Sequence, residues 1–110
     1  VPRCEIPKFV EQIHEISAKH ATIITGAGHA GDGNVHLAIL EPDVDKVPVI
    51  LREIYRVGKT LGGTISAEHG IGSEKKCFLL EMEDKTKIEL MRRIKKAFDP
   101  NNILNPRKIF

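Results

Sequence analysis

The chain has 110 residues, a formal net charge of +2 and 41% hydrophobic residues, values that suit one globular domain with a modest core. No apolar stretch reaches the length of a membrane span, no signal-peptide pattern opens the chain, and no segment is repetitive. The nearly balanced charge favours no nucleic-acid partner, because the basic run at 92–96 is typical of a solvated helix face.

The cysteines and the chain ends set expectations about location and completeness. Cys4 and Cys77 have no motif spacing, so we expect reduced thiols in a cytoplasmic protein. The chain opens at Val1 without a methionine and stops at Phe110, so we expect a domain of a longer polypeptide.

Hydrophobic spacing and turn residues predict the elements. In chain order these are a helix over 6–19, strands over 22–25 and 34–40, a helix over 48–61, a strand over 64–68, and helices over 73–80 and 86–98. Pro7 suits a first helical turn, and Gly62 is placed to cap the end of the second helix. The side chains of the last helix that we expect to face inward are Ile88, Met91, Ile94 and Phe98.

The element order predicts an α+β fold. If residues 1–4 end a further strand, the order is β-α-β-β-α-β followed by a C-terminal helical extension. This is the split β-α-β arrangement of a ferredoxin-like sandwich, an antiparallel sheet with helices on one face.

Strand alternation sorts the polar residues onto one surface. Val35, Leu37 and Ile39 would point to the helix-covered core, which places Asn34 and His36 on the open face. In the strand over 64–68, the same alternation places Glu68 on that open face. His29 lies at the mouth of the same hairpin.

These side chains match the ligand inventory of a divalent metal site. Two imidazoles, His29 and His36, and one carboxylate, Glu68, would leave positions open for a substrate, as catalytic sites do. His69 directly follows the carboxylate and would serve as a general base if the bend at Gly70 turned it back toward the site.

Simpler interpretations stay open at this point. The glycines on either side of Asp32 suit a tight hairpin turn, which the aspartate would stabilise through hydrogen bonds. Asp32 could also compete as a metal ligand. Glu68 could be a surface acid. His14 and His20 are typical of a helix surface and a helix end, and we assign them no role.

Three segments carry a family resemblance. The stretches His-Ala-Gly-Asp-Gly-Asn-Val-His (29–36), Gly-Gly-Thr-Ile-Ser-Ala-Glu-His-Gly-Ile-Gly (62–72) and Phe-Asp-Pro-Asn-Asn-Ile-Leu-Asn-Pro-Arg-Lys-Ile-Phe (98–110) occur in that order. They resemble the FAD-linked oxidase C-terminal domain, the cap or substrate domain in the D-lactate dehydrogenase and glycolate oxidase branch of the vanillyl-alcohol-oxidase superfamily. The resemblance implies that 1–110 is the C-terminal part of such a cap domain, without its FAD-binding domain.

The resemblance also implies an activity and its partners. An enzyme of this branch oxidises a D-2-hydroxy acid to the 2-keto acid, with hydride transfer to FAD bound by the flavin domain of the same polypeptide. Electrons would then pass to a quinone, an electron-transferring flavoprotein or an iron–sulfur subunit, and through such partner subunits the cytoplasmic protein could lie at the periphery of a membrane. The isolated fragment is expected to be inactive.

Carried over by position, the resemblance implies specific roles. His29, His36 and Glu68 would be metal ligands for zinc, manganese or a similar ion such as iron, and His69 would take the hydroxyl proton of the substrate. Asn34 would line the substrate pocket, and Asn105 would approach the flavin or brace the pocket.

The sequence departs from the family pattern at three positions. Ala67 stands where a glycine is usual, and Arg107 where the tail motif usually has glycine. Ala38 replaces an asparagine of the 2-hydroxyglutarate branch, which favours a small substrate such as lactate or glycolate.

Two rival functions remain at this point. The chain could be a non-catalytic metal-binding or subunit-interaction module of ferredoxin-like fold, or a structural domain with no ligand. A flavin domain encoded immediately upstream would argue against the first. The second predicts that replacing His36 or Glu68 with alanine changes neither metal content nor stability.

Overall fold

A two-stranded antiparallel sheet and four α-helices form the chain. The computed structural model describes residues 1–110. The elements in chain order are α1 (Ile6–Lys19), β1 (Ile23–His29), β2 (Asn34–Leu40), α2 (Val47–Thr60), α3 (Lys76–Met82) and α4 (Lys85–Phe98). Short 3-10 turns cover Arg3–Glu5 and Ala30–Asp32. The α+β class and the antiparallel sheet predicted from the sequence are confirmed.

Local sequence signals explain where the helices begin and end. Pro7 lies in the first turn of α1, where its missing N–H costs no hydrogen bond. Gly62 follows α2 with a φ of 77°, and Gly63 N–H donates back to the carbonyl of Gly58 at 2.7 Å, as expected for a glycine C-cap. Asp84 caps α4 by accepting the N–H of Thr86 at 2.9 Å.

The hairpin has a continuous register from Ile23 opposite Leu40 to His29 opposite Asn34. Gly26 in β1 permits this close pairing. A Cβ there would lie inside van der Waals contact of the His36 carbonyl oxygen, and 2.9 Å from the Leu37 Cδ2. Backbone packing therefore requires glycine at this point of β1.

One face of the hairpin is covered by α1 and α2, as predicted. The buried side chains of this core are Phe9, Ile13, Ile16, Ile24, Ile50, Ile54 and Leu61. The inward side chains of β2 that pack against them are Val35, Leu37 and Ile39. Because side chains alternate along a strand, the residues between them point away from this core. The other face of the hairpin is therefore the open face.

The strand predicted over 64–68 is not formed, and neither is the further strand considered for residues 1–4. The sheet has only β1 and β2, so the full split β-α-β pattern is not formed within these residues. Residues 3–5 form a 3-10 turn, and Thr64 uses its hydroxyl to donate to the carbonyl of Ser66 at 3.0 Å instead of entering a ladder. β-Branched composition favours a strand, but a strand also needs a neighbour with free backbone groups.

The chain divides into two compact units, Val1–Glu68 and His69–Phe110. The second contains α3, α4 and the tail, with Phe78, Leu79 and Ile88 buried. No helix of the chain is both long enough and apolar enough to traverse a membrane. Both cysteines are free and exposed.

The inward face of α4 differs from the prediction. Ile88 is buried as expected and Met91 is half-buried, but Ile94 and Phe98 are 50% and 80% exposed. The buried end of the helix is instead occupied by Asp99, at 6% exposure. The Asp99 carboxylate accepts the N–H groups of Ile103 and Leu104, and the predicted burial of Ile94 and Phe98 was wrong.

Candidate metal centre

Three candidate ligands converge at the open face of the first unit. His36 Nε2 lies 2.9 Å from Glu68 Oε1, and His29 Nε2 lies 3.8 Å from the same oxygen. One potential ligand atom from each residue lies within 4.8 Å of both others. The structure thus brings together the two imidazoles and the carboxylate singled out in the sequence.

The hairpin register positions the two imidazoles. His29 is opposite Asn34, and His36 is opposite Ala27, so the two histidines are diagonal neighbours on one face. Their ring centroids are 5.5 Å apart with an interplanar angle of 89°. This edge-to-face arrangement directs both rings toward the carboxylate of Glu68 without stacking one on the other.

Asn34 contacts the ring nitrogen of His36 that also faces Glu68. Its Nδ2 is 3.3 Å from His36 Nε2, the atom that faces Glu68. The amide can donate to Nε2 only when that nitrogen has a free lone pair, whereas a hydrogen bond to the carboxylate requires an N–H there. The lone-pair state is also the one that a metal ion requires. Without an ion, Glu68 and Asn34 thus favour opposite tautomers of His36, and the one that Asn34 favours leaves Nε2 free to bind a metal ion.

The donor set and its spacing fit a divalent cation. Two donors bonded to one ion at about 2.0–2.2 Å are separated by roughly 3–4 Å in tetrahedral or octahedral geometry. The two measured separations, 2.9 and 3.8 Å, fall at this spacing. Two imidazoles and one carboxylate suit zinc, manganese or iron(II). The Glu68 side chain is half exposed, at 50%, and His29 is 62% exposed, so the cluster is open to solvent in this chain.

Asp32, considered from the sequence as a competing ligand, is an exposed residue of the 3-10 turn between the strands. Asp32 does not belong to the cluster formed by His29, His36 and Glu68. Gly33 follows in a left-handed conformation with a φ of 75°, and its N–H donates to the carbonyl of Ala30 at 3.2 Å. The glycine-rich turn thus closes the hairpin that holds the two histidines.

The remaining predicted residues belong to the second unit. His69 is exposed and directly follows Glu68 in an irregular segment. Since 64–68 is not a strand, strand alternation does not force the two side chains onto opposite faces. Gly70 has a φ of 72°, which supplies the predicted bend. Asn105 lies in the exposed tail with a φ of 46°. The roles given to His69 and Asn105 stay predictions.

An ion-pair cluster that was not predicted from the sequence joins α1 to α2. Glu53 Oε1 is 2.9 Å from Lys19 Nζ and 3.2 Å from His20 Nε2. Hydrogen bonding to Lys19 lowers the pKa of the Glu53 carboxyl, opposed by burial and assisted by His20. No local motif marks this cluster, because Glu53 is more than thirty residues away in sequence from Lys19 and His20.

Comparison with known proteins identifies the family to which the chain is related. The sequence model described as FAD linked oxidases, C-terminal domain, matches residues 1–109. The chain is 42% identical over 115 residues to the glycolate oxidase subunit GlcD of Bacillus subtilis, covering all of this chain and 24% of that protein.

Two further relatives carry dehydrogenase names. A D-2-hydroxyglutarate dehydrogenase of Stutzerimonas stutzeri is 37% identical over 115 residues, covering 96% of this chain and 25% of that protein. A D-lactate dehydrogenase of Anaerostipes hadrus is 36% identical over 115 residues, covering 99% of this chain and 24% of that protein. The chain thus spans about a quarter of the length of these relatives.

Proposed function

Because this chain belongs to the FAD-linked oxidase C-terminal domain family, we propose that it provides the metal ligands and the base of an FAD-dependent D-2-hydroxy-acid dehydrogenase. The observation that carries the proposal is the convergence of His29, His36 and Glu68 on the open face of the hairpin. The relatives named for glycolate, D-lactate and D-2-hydroxyglutarate support the substrate class, since all three are 2-hydroxy acids. FAD would be bound mainly by the flavin domain of the same polypeptide.

The cluster would hold a divalent ion, zinc or manganese, through Nε2 of His29, Nε2 of His36 and Oε1 of Glu68. When bound, such an ion supplies Lewis-acid polarisation of the substrate's carboxylate and hydroxyl oxygens. Two neutral imidazoles and one carboxylate leave a net positive charge on the centre, which attracts an anionic 2-hydroxy acid. The exposure of Glu68 and His29 leaves room for that acid to approach.

His69 is the proposed general base. A ring nitrogen of His69 would accept the hydroxyl proton of the substrate, and FAD held by the flavin domain would supply the acceptor for the hydride from the α-carbon. The substrate loses two electrons and two hydrogens in this step, the C–H and O–H bonds break, and the carbonyl of the 2-keto acid forms. A base next in sequence to a ligand of the same centre suits this proton transfer.

Asn34 is the proposed substrate-binding residue of the hairpin. Its amide contacts His36 Nε2 at 3.3 Å. Once that nitrogen is engaged as a ligand, the Asn34 N–H groups are available to donate to the substrate's carboxylate. Asn105 would brace the pocket or approach the flavin.

The substrate is proposed to be small, of the lactate or glycolate type. Ala38 follows His36 on the same face of β2 and presents only a methyl group. It offers no hydrogen bond to a second carboxylate, such as that of 2-hydroxyglutarate. After oxidation of the substrate, electrons would pass from the flavin to a quinone, an electron-transferring flavoprotein or an iron–sulfur subunit.

The experiment that tests this function uses the complete polypeptide that carries this chain. Anaerobic flavin bleaching by D-lactate, glycolate and D-2-hydroxyglutarate is recorded for the wild type, His69→Gln and the control His14→Gln, which removes an exposed imidazole on α1. We expect bleaching by D-lactate or glycolate, with a rate reduced about 10²–10⁴-fold in His69→Gln alone. Equal rates in both variants would remove His69 as the base, and no bleaching by any hydroxy acid would favour the non-catalytic metal-binding or interaction module.

A further inference from the structure

Asp99 forms a buried hydrogen-bonded anchor at the end of α4. Its Oδ1 accepts the N–H of Ile103 at 2.7 Å, and its Oδ2 accepts the N–H of Leu104 at 2.9 Å. The ammonium of Lys95, one turn earlier, donates to the same Oδ2 and also to the Leu104 carbonyl oxygen, the latter at 2.5 Å. A single carboxylate and its lysine therefore fix the first residues of the tail against the helix.

The anchor is charged under ordinary conditions. Hydrogen bonding from Lys95 lowers the pKa of the Asp99 carboxyl, with further lowering by the N–H groups of Ile103 and Leu104 and an opposing contribution from burial. Asp99 therefore stays a carboxylate at neutral pH. Charge-assisted hydrogen bonds of this kind are about twice as strong as neutral ones.

The tail after the anchor has an unfavourable backbone conformation. Asn102, Asn105, Arg107 and Ile109 have φ values of 52°, 46°, 66° and 66°. Asparagine tolerates such values, but they are rare for other residues apart from glycine, and a β-branched residue such as Ile109 adopts them only where its surroundings impose them. A segment of this kind persists because contacts at both of its ends hold it.

The far end of the tail is attached to the segment that contains His69. The Ile109 N–H donates to the carbonyl of Gly72 at 2.9 Å. The Phe110 ring lies under the guanidinium of Arg92, which is 5.4 Å from the ring centroid. All of these residues belong to the second unit, so the tail connects α4 to the backbone three residues after His69.

The segment after His69 contains two glycines in left-handed conformations. Gly70 and Gly72 have φ values of 72° and 57°. Glycine populates many backbone conformations, so the sequence between His69 and Gly72 encodes little preference of its own. The hydrogen bond from Ile109 holds the Gly72 carbonyl in this conformation, next to the turn in which the Lys75 N–H donates to the Ile71 carbonyl at 3.2 Å.

We propose that Asp99 is a positioning residue for His69, acting through the tail: it fixes residues 103–104, and the tail in turn fixes Gly72 through Ile109. This inference rests on the proposed role of His69 as the base. Asp99 contacts neither substrate nor cofactor in this account. Its loss should lower the rate of the chemical step while leaving the binding of flavin and substrate nearly unchanged.

The test uses the complete polypeptide, with Asp99→Ala, Asp99→Asn and the control Glu89→Gln. Glu89 pairs with Arg93 at 3.2 Å on the exposed face of the same helix, so its variant alters charge on α4 without touching the anchor. Amide hydrogen exchange of the peptide spanning 69–75 is measured by mass spectrometry, together with kcat, KM and flavin content. We expect exchange at least about tenfold faster in Asp99→Ala, kcat about tenfold lower, and KM and flavin content within twofold of the wild type.

Asp99→Asn keeps one acceptor oxygen and loses the charge, so it should fall between wild type and Asp99→Ala in both exchange and kcat. If Asp99→Ala does not fold, Asp99→Asn and Arg92→Ala, which releases Phe110, decide the question by the same two measurements. Unchanged exchange at 69–75 in these variants would overturn the proposal, as would a rise in KM with kcat unchanged. If the wild type oxidises no hydroxy acid, the proposed function fails, and the exchange comparison still decides whether Asp99 holds the His69 segment.

Discussion

His36 Nε2 and Glu68 Oε1 lie 2.9 Å apart although 32 residues separate them in the chain, and His29 joins them from the neighbouring strand. The contact connects the open face of β2 to the last residue of the first unit. The contact gives the Glu68 carboxylate a partner on β2, and the proposed base, His69, is the next residue in the chain.

Replacing Asn34 with alanine should impair substrate binding more than metal binding. The variant loses the amide that contacts His36 at 3.3 Å and that we propose to donate to the substrate's carboxylate. A hydrogen bond to a charged group is worth about 1.5–3 kcal/mol, so KM for D-lactate or glycolate should rise by about tenfold or more. Steady-state kinetics of the complete enzyme measure this. An unchanged KM would remove Asn34 from the substrate site.

Replacing Gly26 with alanine should disrupt the hairpin and with it the histidine pair. The new Cβ would overlap the His36 carbonyl oxygen, and β1 and β2 would have to separate. Overpacking of this kind costs about 1–3 kcal/mol, and metal binding should be lost as well.

The matched control for that variant is Gly31→Ala in the adjoining turn. A Cβ there meets no atom within 4 Å, so stability and metal content should match the wild type. Chemical unfolding and metal analysis of both variants provide the comparison. Equal behaviour of the two alanine variants would contradict the close strand pairing.

Glu53 should stabilise the packing of α1 on α2 in a pH-dependent manner. Its pKa in the folded state is lowered from the ordinary 4.5, chiefly by Lys19, so the contribution is complete above pH 4.5 and is lost as pH falls through the lowered folded-state pKa. Because Lys19 is 64% exposed, the contribution should be below about 1 kcal/mol.

Urea unfolding of wild type and Glu53→Gln at several pH values measures this contribution. The difference between the two proteins should be present at pH 7 and should shrink toward zero below the folded-state pKa of Glu53. A difference that is constant down to pH 3 would show that the variant acts through packing and not through charge.

Local patterns predicted the parts of the structure that depend on local interactions. The bounds of α1 agree with the helical spacing of Phe9, Ile13 and Ile16. The inward set of β2 follows from simple alternation, which also placed His36 on the open face. These features follow from the regular repeat of side-chain directions along a helix or a strand, which can be recognised within a single segment.

Features that depend on distant partners were not predicted. Residues 64–68 have strand-like composition but no ladder, because pairing depends on which other segment is adjacent. Ile94 and Phe98 are exposed, whereas Asp99 at the end of α4 is buried, and its carboxylate accepts N–H groups that Ile103 and Leu104 supply from the tail. Glu68 was nevertheless assigned to the correct neighbourhood of His36, although the strand used to place it is not formed.

His29, His36 and Glu68 are proposed to hold a divalent ion, and metal binding by the complete polypeptide tests this. The metal content and the zinc and manganese affinity are compared among wild type, His36→Ala, Glu68→Gln and the control His14→Ala. We expect one ion per chain in the wild type and in His14→Ala, with affinity at least about 100-fold weaker in the other two variants. Equal metal binding in all four proteins, or a wild type that binds neither metal, would contradict it.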